Sequence, residues 1–212
     1  MDQALARRVS VPISPATMGS REFRRCLARF STGVTVVTYQ DGDNARGATV
    51  NSFTSVSMDP PLVLVSLARQ AQACTALRDR PFAVNILRSD QMNIAFQFAG
   101  RVQPRLRIGW ETVVVDDDAS ARRTTVPVLA DTVAVFVCRP WCQHDGGDHI
   151  LHLGEVIGAE ARPGDPLVFT DGRFMSTGLP LLDGPLVLSL DGRPVPTWLG
   201  AVHRLHTVAE VG

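Results

Sequence analysis

The 212-residue sequence predicts a mainly β fold with α-helices, in which a β-barrel is decorated by a few helices. The first observation is a series of short segments that are rich in β-branched residues and bounded by turn residues, such as residues 33–39 and 82–87. The second is that helical spacing of apolar residues recurs in only a few segments. A doubly wound parallel sheet is disfavoured, because the sequence has neither a G-x-G-x-x-G nor a Walker A pattern.

The predicted elements follow in order along the chain. Ser20 can cap a first helix, and Ser89 can cap a later helix that ends at Phe98. A short helix is predicted over residues 71–79, and residues 100–127 are predicted to be loop-rich around a short strand at 113–115. The other strands are predicted at residues 33–39, 62–67, 82–87, 132–142, 149–160 and 166–170, with residues 143–148 joining the two long ones.

Composition divides the chain into three parts and limits its partners. Residues 1–18 are predicted to be an arm, residues 19–178 one domain, and residues 179–212 a C-terminal extension. The 21 basic and 21 acidic side chains balance, which disfavours a nucleic acid or an anionic membrane as partner. No apolar run is long enough to span a bilayer, and no secretory signal is evident. Four scattered cysteines, without a Cys-x-x-Cys pair, predict reduced thiols in a cytoplasmic protein.

Residues 47–57 are unusually rich in small hydroxyl side chains. Thr49 and Asn51 lie two positions apart, so they share one face of a predicted strand. Small hydroxyls, an amide and backbone N–H groups can read the polar edge of a flavin ring without crowding it. The alternative interpretation, which the composition leaves open, is the polar outer face of an antiparallel strand.

A second cluster, at residues 144–152, contains three histidines and two aspartates. A metal site is disfavoured, because His149 and His152 lie three positions apart on a predicted strand and therefore point to opposite faces. His149 is the candidate catalytic residue, and Asp148 can orient its imidazole or the adjacent backbone. The alternatives are a strand-end histidine bonded to a backbone carbonyl and a simple turn aspartate, and His152 is predicted to be structural.

Five stretches, in this order, resemble the flavin reductase-like family, whose members are the small reductase components of two-component flavin monooxygenases. They are Phe23-Arg24-Arg25 with residues 31–38, residues 49–57, residues 59–63, residues 82–87, and Gly147-Asp148-His149 with residues 153–156. The resemblance covers roughly residues 20–178. It implies an FMN-binding split β-barrel that forms a homodimer and binds flavin near the subunit interface.

The resemblance also implies which residues contact the cofactors. The residues that it places along the isoalloxazine and ribityl chain are Thr49, Val50, Asn51 and Ser52, and those on a second wall are Ser66 and Leu67. It places Arg69 at the flavin phosphate, and Asp148 and His149 near the nicotinamide. Thr32 is a further cofactor-binding candidate, and Phe174 stands where the family commonly has an aromatic residue near the cofactor. The chain departs from the pattern where Ala71-Gln72-Ala73 replaces Ser-x-Thr, so either Thr75 or backbone amides take the phosphate. A second departure is Pro104-Arg105-Leu106.

The implied function is reduction of FMN or FAD by NADH or NADPH, with hydride transfer to flavin N5, to supply a partner monooxygenase. Two alternatives stay open, namely a self-sufficient flavin-dependent oxidase or oxygenase on the same fold and a non-catalytic flavin-binding protein. The choice between FMN and FAD stays open, as does that between NADH and NADPH, because no residue that reads the ribose or its 2′-phosphate can be identified.

Overall fold

The computed structural model describes residues 19–117 and 122–178. The predicted arm at residues 1–18 and the predicted extension at residues 179–212 lie outside the described residues, so both stay predictions. No helix in the described ranges has the length and apolar character that crossing a membrane requires.

Three helices and twelve strands make up the described chain. The helices are α1 (Ser20–Leu27), α2 (Gln72–Ala76) and α3 (Met92–Phe98). The strands are β1 (Thr32–Gly33), β2 (Thr35–Asp41), β3 (Asn44–Val50), β4 (Thr54–Met58), β5 (Pro61–Ala68), β6 (Phe82–Ile86), β7 (Trp110–Asp117), β8 (Arg122–Leu129), β9 (Ala134–Gly146), β10 (His149–Ala161), β11 (Leu167–Thr170) and β12 (Arg173–Ser176). This composition confirms the predicted mainly β class with a few helices.

A seven-stranded antiparallel sheet forms the body of the protein, in the order β3-β2-β6-β9-β10-β5-β4. A second sheet has the order β1-β11-β12, and β7 pairs with β8 in a separate hairpin. Buried polar side chains fasten this hairpin to the large sheet. The Asn85 amide donates to the Val36 carbonyl at 2.8 Å and accepts from the Leu129 N–H at 2.8 Å, and Thr38 donates to the Pro127 carbonyl.

The main core packs between the large sheet and α2. Val37, Leu77 and Phe82 are fully buried there, and their burial supplies much of the driving force for folding. Gly154 on β10 allows the close approach that this core needs, because a Cβ atom at that position would lie 2.6 Å from Cζ of Phe82. Register shifts flank this part of β10, so the long strand bends where it meets the Phe82 ring.

Two predicted helix caps are wrong. Helix α1 begins at Ser20 itself, with Gly19 in the capping position, and no side chain caps it. Helix α3 begins only at Met92, with Gln91 rather than Ser89 in the capping position. Gln91 organises this corner instead, since its side chain accepts from the Arg88 N–H at 2.9 Å and donates to the Ala130 carbonyl at 3.0 Å.

The predicted loop-rich stretch at residues 100–127 is also wrong in part. It contains β7 and most of β8, in which Val113, Val115, Val126 and Val128 are buried. Polar residues dominate the ends of both strands, at residues 111–112, 116–117 and 122–125, and this composition resembles that of a loop. Strand β9 likewise extends to Gly146, so the predicted connection at residues 143–148 shrinks to the Gly147-Asp148 turn. Strand β12 was not predicted.

Candidate functional site

A cavity of about 610 Å³ lies between β3, α3 and the β11–β12 hairpin. We call it the aromatic cavity, because the rings of Phe96, Phe169 and Phe174 form its wall. The Phe174 ring contacts Phe96 edge to face, with centroids 5.2 Å apart, and its centroid lies 5.4 Å from that of Phe169. The other lining residues are Val34, Thr49, Val50, Asn51, Met92, Ala99, Arg101, Gly172 and Arg173.

The cavity brings together four residues that the sequence assigned to cofactor binding. Thr49, Val50 and Asn51 leave the end of β3, and Phe174 comes from β12. The Thr49 hydroxyl is already used, since it donates to the Ala95 carbonyl of α3 at 2.8 Å and fixes that helix against the strand. The exposed Asn51 amide has no hydrogen-bond partner within the described ranges, so it is available to a ligand.

Sequence reasoning missed several lining residues. Phe96, Met92 and Arg101 come from α3 and its exit, and Arg173 comes from the unpredicted strand β12. Phe96 and Phe98 lie two positions apart, on different sides of the helix. Which side meets the cavity depends on the tertiary contact of Thr49 with the helix and cannot be determined from the helix sequence alone. Arg173 stands next to Phe174, which was singled out, and a hairpin at Asp171-Gly172 would have indicated it.

Ser52 and Ser66 are joined by two hydrogen bonds. The Ser52 hydroxyl donates to the Ser66 carbonyl at 2.8 Å and accepts from the Ser66 N–H at 3.0 Å. A side chain thereby does what a strand partner would do for β5, and it sets the path of the chain as it leaves Asn51. Leu67, which the resemblance placed on a wall, is buried in the main core, so only its backbone is left for a ligand.

A second cluster surrounds the β9–β10 turn. We call it the histidine turn and define it as Asp145, Gly147, Asp148 and His149 together with Arg69. Gly147 has φ of +78°, a left-handed conformation that favours glycine. The Arg69 guanidinium donates from Nε to the Gly147 carbonyl at 2.6 Å, and its Nη2 contacts the Asp145 carboxylate. The backbone N–H of Arg69 donates to the Asp148 carbonyl at 3.1 Å.

Every charged group of the histidine turn has a partner. The Asp148 carboxylate lies 2.7 Å from Nδ1 of His149, and this hydrogen bond lowers the pKa of Asp148. The pKa of Asp145 is lowered by the Gly147 N–H and then by Arg69. His149 is half-buried, and its strand position lies opposite Ala68 at the end of β5. The contact between Asp148 and the His149 imidazole is one of the two that the sequence allowed, and the contacts of Arg69 with this turn were not predicted.

His149 and His152 lie on opposite faces of β10, as their spacing predicts. His152 is buried, and neither of its ring nitrogens has a hydrogen-bond partner in the described part of the chain. Burial, followed by the charge of Arg78, lowers the pKa of His152, so the neutral imidazole is favoured. Within residues 19–117 and 122–178, no three metal-ligating side chains converge.

Two other predicted cofactor residues line neither cluster, although Thr32 lies beside the wall of the aromatic cavity. Thr32 pairs with Phe169 between β1 and β11, and its buried hydroxyl has no partner in the described ranges. Thr75 is exposed on α2 and lines a separate cavity with Tyr39, Asp41 and Arg80. Ala71 and Ala73, at the altered loop, line a third cavity that also contains Arg46.

The fold and the cavity define a mainly β protein with an aromatic, positively charged pocket of nucleotide size. The flavin reductase-like domain model matches residues 27–178, and the chain belongs to that family. Solved flavin reductases share its mainly β fold.

Three relatives illustrate the match. The NADH-dependent FMN reductase SmoA of Agrobacterium fabrum is 41% identical over 161 residues, which cover 76% of this chain and 87% of that protein. The reductase component of a 4-nitrophenol and 4-nitrocatechol monooxygenase of Rhodococcus opacus is 33% identical over 175 residues, 82% of this chain and 87% of that one. The NADH:FAD oxidoreductase SgcE6 of Streptomyces globisporus, solved with NAD and FAD fragments, superposes with a TM-score of 0.65 at 35% identity, covering 82% of this chain and all of that one.

Proposed function

We propose that this protein is an NAD(P)H:flavin oxidoreductase that reduces FMN or FAD and releases the reduced flavin to a partner monooxygenase. The observation that carries the proposal is the aromatic cavity at the end of β3, in a chain of this family. When the two nucleotides are bound with their rings stacked, dihydronicotinamide supplies a hydride to flavin N5. The chain itself has only to bind, orient and shield the rings.

The residues of the aromatic cavity fit a flavin. Its volume of about 610 Å³ lies in the range of pockets that hold planar ligands of this size. Phe96 and Phe174 offer ring faces and edges to the dimethylbenzene part, and the Asn51 amide offers both a donor and an acceptor to the pyrimidine edge. No carboxylate lines the described wall of the cavity, so an anionic nucleotide meets no repulsion there.

His149 is proposed to position the nicotinamide or the flavin edge. The Asp148 hydrogen bond holds its ring, and the Ser52–Ser66 bonds connect β5, on which the histidine turn rests, to the chain next to Asn51. Ser52 and Ser66 stay proposed flavin-contacting residues, although the Ser52 hydroxyl is bonded to the Ser66 backbone, and Leu67 contributes through its backbone. Thr32 and Thr75 stay proposed cofactor residues, and Arg69 can take a phosphate if its contact with Asp145 opens.

A homodimer is proposed to complete the site. In the described chain no hydrogen bond or ring contact joins the histidine turn directly to the aromatic cavity. We therefore expect a second copy of the chain to complete the binding site between these two clusters. The edge strand β4 exposes Val56 to 47% and Met58 to 65%, and Trp141 on β9 is 51% exposed. Apolar area of this kind at a sheet edge suits an interface. Light scattering is expected to give twice the chain mass.

NADH is the favoured hydride donor, since SmoA and SgcE6 are both named as NADH enzymes. A cytoplasmic location is proposed because the flavin and nicotinamide nucleotides are abundant there. The test is spectrophotometric oxidation of NADH and NADPH with FMN, FAD, riboflavin or no flavin. Oxidation that requires added flavin is expected. Flavin binding without oxidation by either donor would contradict the proposal and favour a self-sufficient oxidase or a flavin-binding protein.

A further inference from the structure

Two arginines line the aromatic cavity, and the sequence motifs gave a role to neither. Arg101 follows α3, and Arg173 opens β12 directly before Phe174. Both are exposed. The guanidinium carbon of Arg101 lies 5.4 Å from the centre of the Phe96 ring, so the charge is held against the aromatic wall.

Neither guanidinium has a carboxylate partner among the described residues, unlike Arg88 and Arg162, which form ion pairs. The acidic residue next to Arg173 in sequence is Asp171, and its carboxylate is bound by Arg29 from the end of α1. The ion pair neutralises Asp171, and the positive charge of Arg173 stays uncompensated.

Two neighbouring cavities lack this excess of positive charge. The cavity beside α2 contains Asp41 and Asp79 together with Arg80, so its acidic side chains outnumber the basic one. In the cavity that contains Arg46, that arginine lies 3.8 Å from the Asp41 carboxylate. The described wall of the aromatic cavity, by contrast, carries two cations and no anion.

We propose that Arg101 and Arg173 bind the phosphate of the nucleotide whose ring occupies the aromatic cavity. A guanidinium presents a planar fork of N–H donors that matches phosphate oxygens, and it keeps its charge at every physiological pH. The inference rests on the proposed function, because that function supplies the ligand class. The phosphate belongs either to the flavin or to the nicotinamide dinucleotide, and both sources offer the same chemistry to the two arginines.

The test compares substrates with and without phosphate in Arg101→Gln, Arg173→Gln and the double variant. FMN is compared with riboflavin at fixed NADH, and NADH is compared with N-benzyl-dihydronicotinamide at fixed flavin. Arg105→Gln is the matched control, since Arg105 is equally exposed and charged but does not line the cavity. Melting temperatures of all variants verify that they fold.

A rise of about tenfold in KM for one phosphate-bearing substrate is expected in the double variant, and the value for its phosphate-free analogue should not change. A rise for FMN but not riboflavin assigns the arginines to the flavin phosphate. A rise for NADH but not the benzyl analogue assigns them to the dinucleotide. In either case kcat at saturation should stay close to that of Arg105→Gln.

Equal changes for substrates with and without phosphate, or no change relative to Arg105→Gln, would overturn the inference. Failure of the proposed function is separately visible, because the wild-type protein would then oxidise neither donor with any flavin. The arginine pair is tested in that event by equilibrium titration with FMN and riboflavin, followed by flavin fluorescence. Weaker FMN binding in the double variant, with riboflavin binding unchanged, supports the inference, and unchanged FMN binding overturns it.

Discussion

The aromatic cavity and the histidine turn treat their polar groups in opposite ways. In the histidine turn, Arg69 is bound to Asp145 and Gly147, and His149 to Asp148. In the aromatic cavity, the side chains of Asn51, Arg101 and Arg173 form no hydrogen bond or ion pair within the described ranges. A polar group that the protein leaves open beside an apolar wall is available to a ligand, whereas a closed network fixes geometry. The comparison assigns binding to the cavity and positioning to the turn.

The largest effect should follow from removal of the aromatic wall. Phe174→Ala deletes the ring that touches both Phe96 and Phe169, and kcat/KM for NADH oxidation with FMN should fall about 30-fold. Phe174→Tyr retains the ring and should keep activity within about twofold of the wild type. If the alanine variant folds and turns over normally, the cavity does not bind the reacting ring.

The histidine turn is tested next by His149→Ala. The rate of NADH oxidation at saturating flavin should fall about tenfold, since the ring that orients the reactants is lost. His144→Ala is the matched control, because His144 belongs to the same hairpin and is exposed. Equal rates for the two variants would remove His149 from the site.

The link between the two regions is tested by Ser52→Ala. Both backbone groups of Ser66 lose their partner, and the free energy of unfolding should fall by about 1 kcal/mol. Urea denaturation measures this loss, with the exposed Ser55→Ala as control. A loss no larger than that of the control would mean that the bond does not hold the two regions together.

His152 and His149 lie on the same strand, and a variant of His152 tests whether this histidine has a structural role only. Its pKa is lowered in the folded state, so the unfolded chain binds more protons as the pH falls below about 6.5, and stability declines there by at most about 1.4 kcal/mol per pH unit. His152→Leu should remove this decline, which denaturation at pH 5.5 and 7.5 measures, and should leave the pH profile of turnover unchanged. A decline that persists in His152→Leu comes from other groups.

The smallest effect is expected from Arg69→Gln. The ion pair with Asp145 is exposed, so its loss should change stability little, and KM for FMN should rise only about twofold. A rise equal to that of the Arg101 and Arg173 double variant would give Arg69 the phosphate role that the family resemblance implies.

Sequence reasoning succeeded where the physics is local. The opposite faces of His149 and His152 follow from strand geometry and are present. Thr49 and Asn51 both line the cavity, although Asn51 lies just beyond the end of β3. It failed where a residue is placed by a partner far along the chain. Arg101 and Arg173 lie 72 positions apart in the sequence (173 − 101), and only the folded chain brings them to one cavity. Strand β7 was predicted only at residues 113–115 and β8 was missed, because the ends of both strands are polar.

The hydroxyl of Ser52 also gives the protein a built-in reporter. The amide proton of Ser66 is held by this side chain rather than by a strand, so its exchange with solvent requires movement of the segment beside Asn51 and not unfolding of the large sheet. Hydrogen–deuterium exchange at this one amide would therefore follow the opening and closing of the cavity wall. Occupancy of the cavity should slow that exchange, while the amides in the middle of β6 keep their own slower rate.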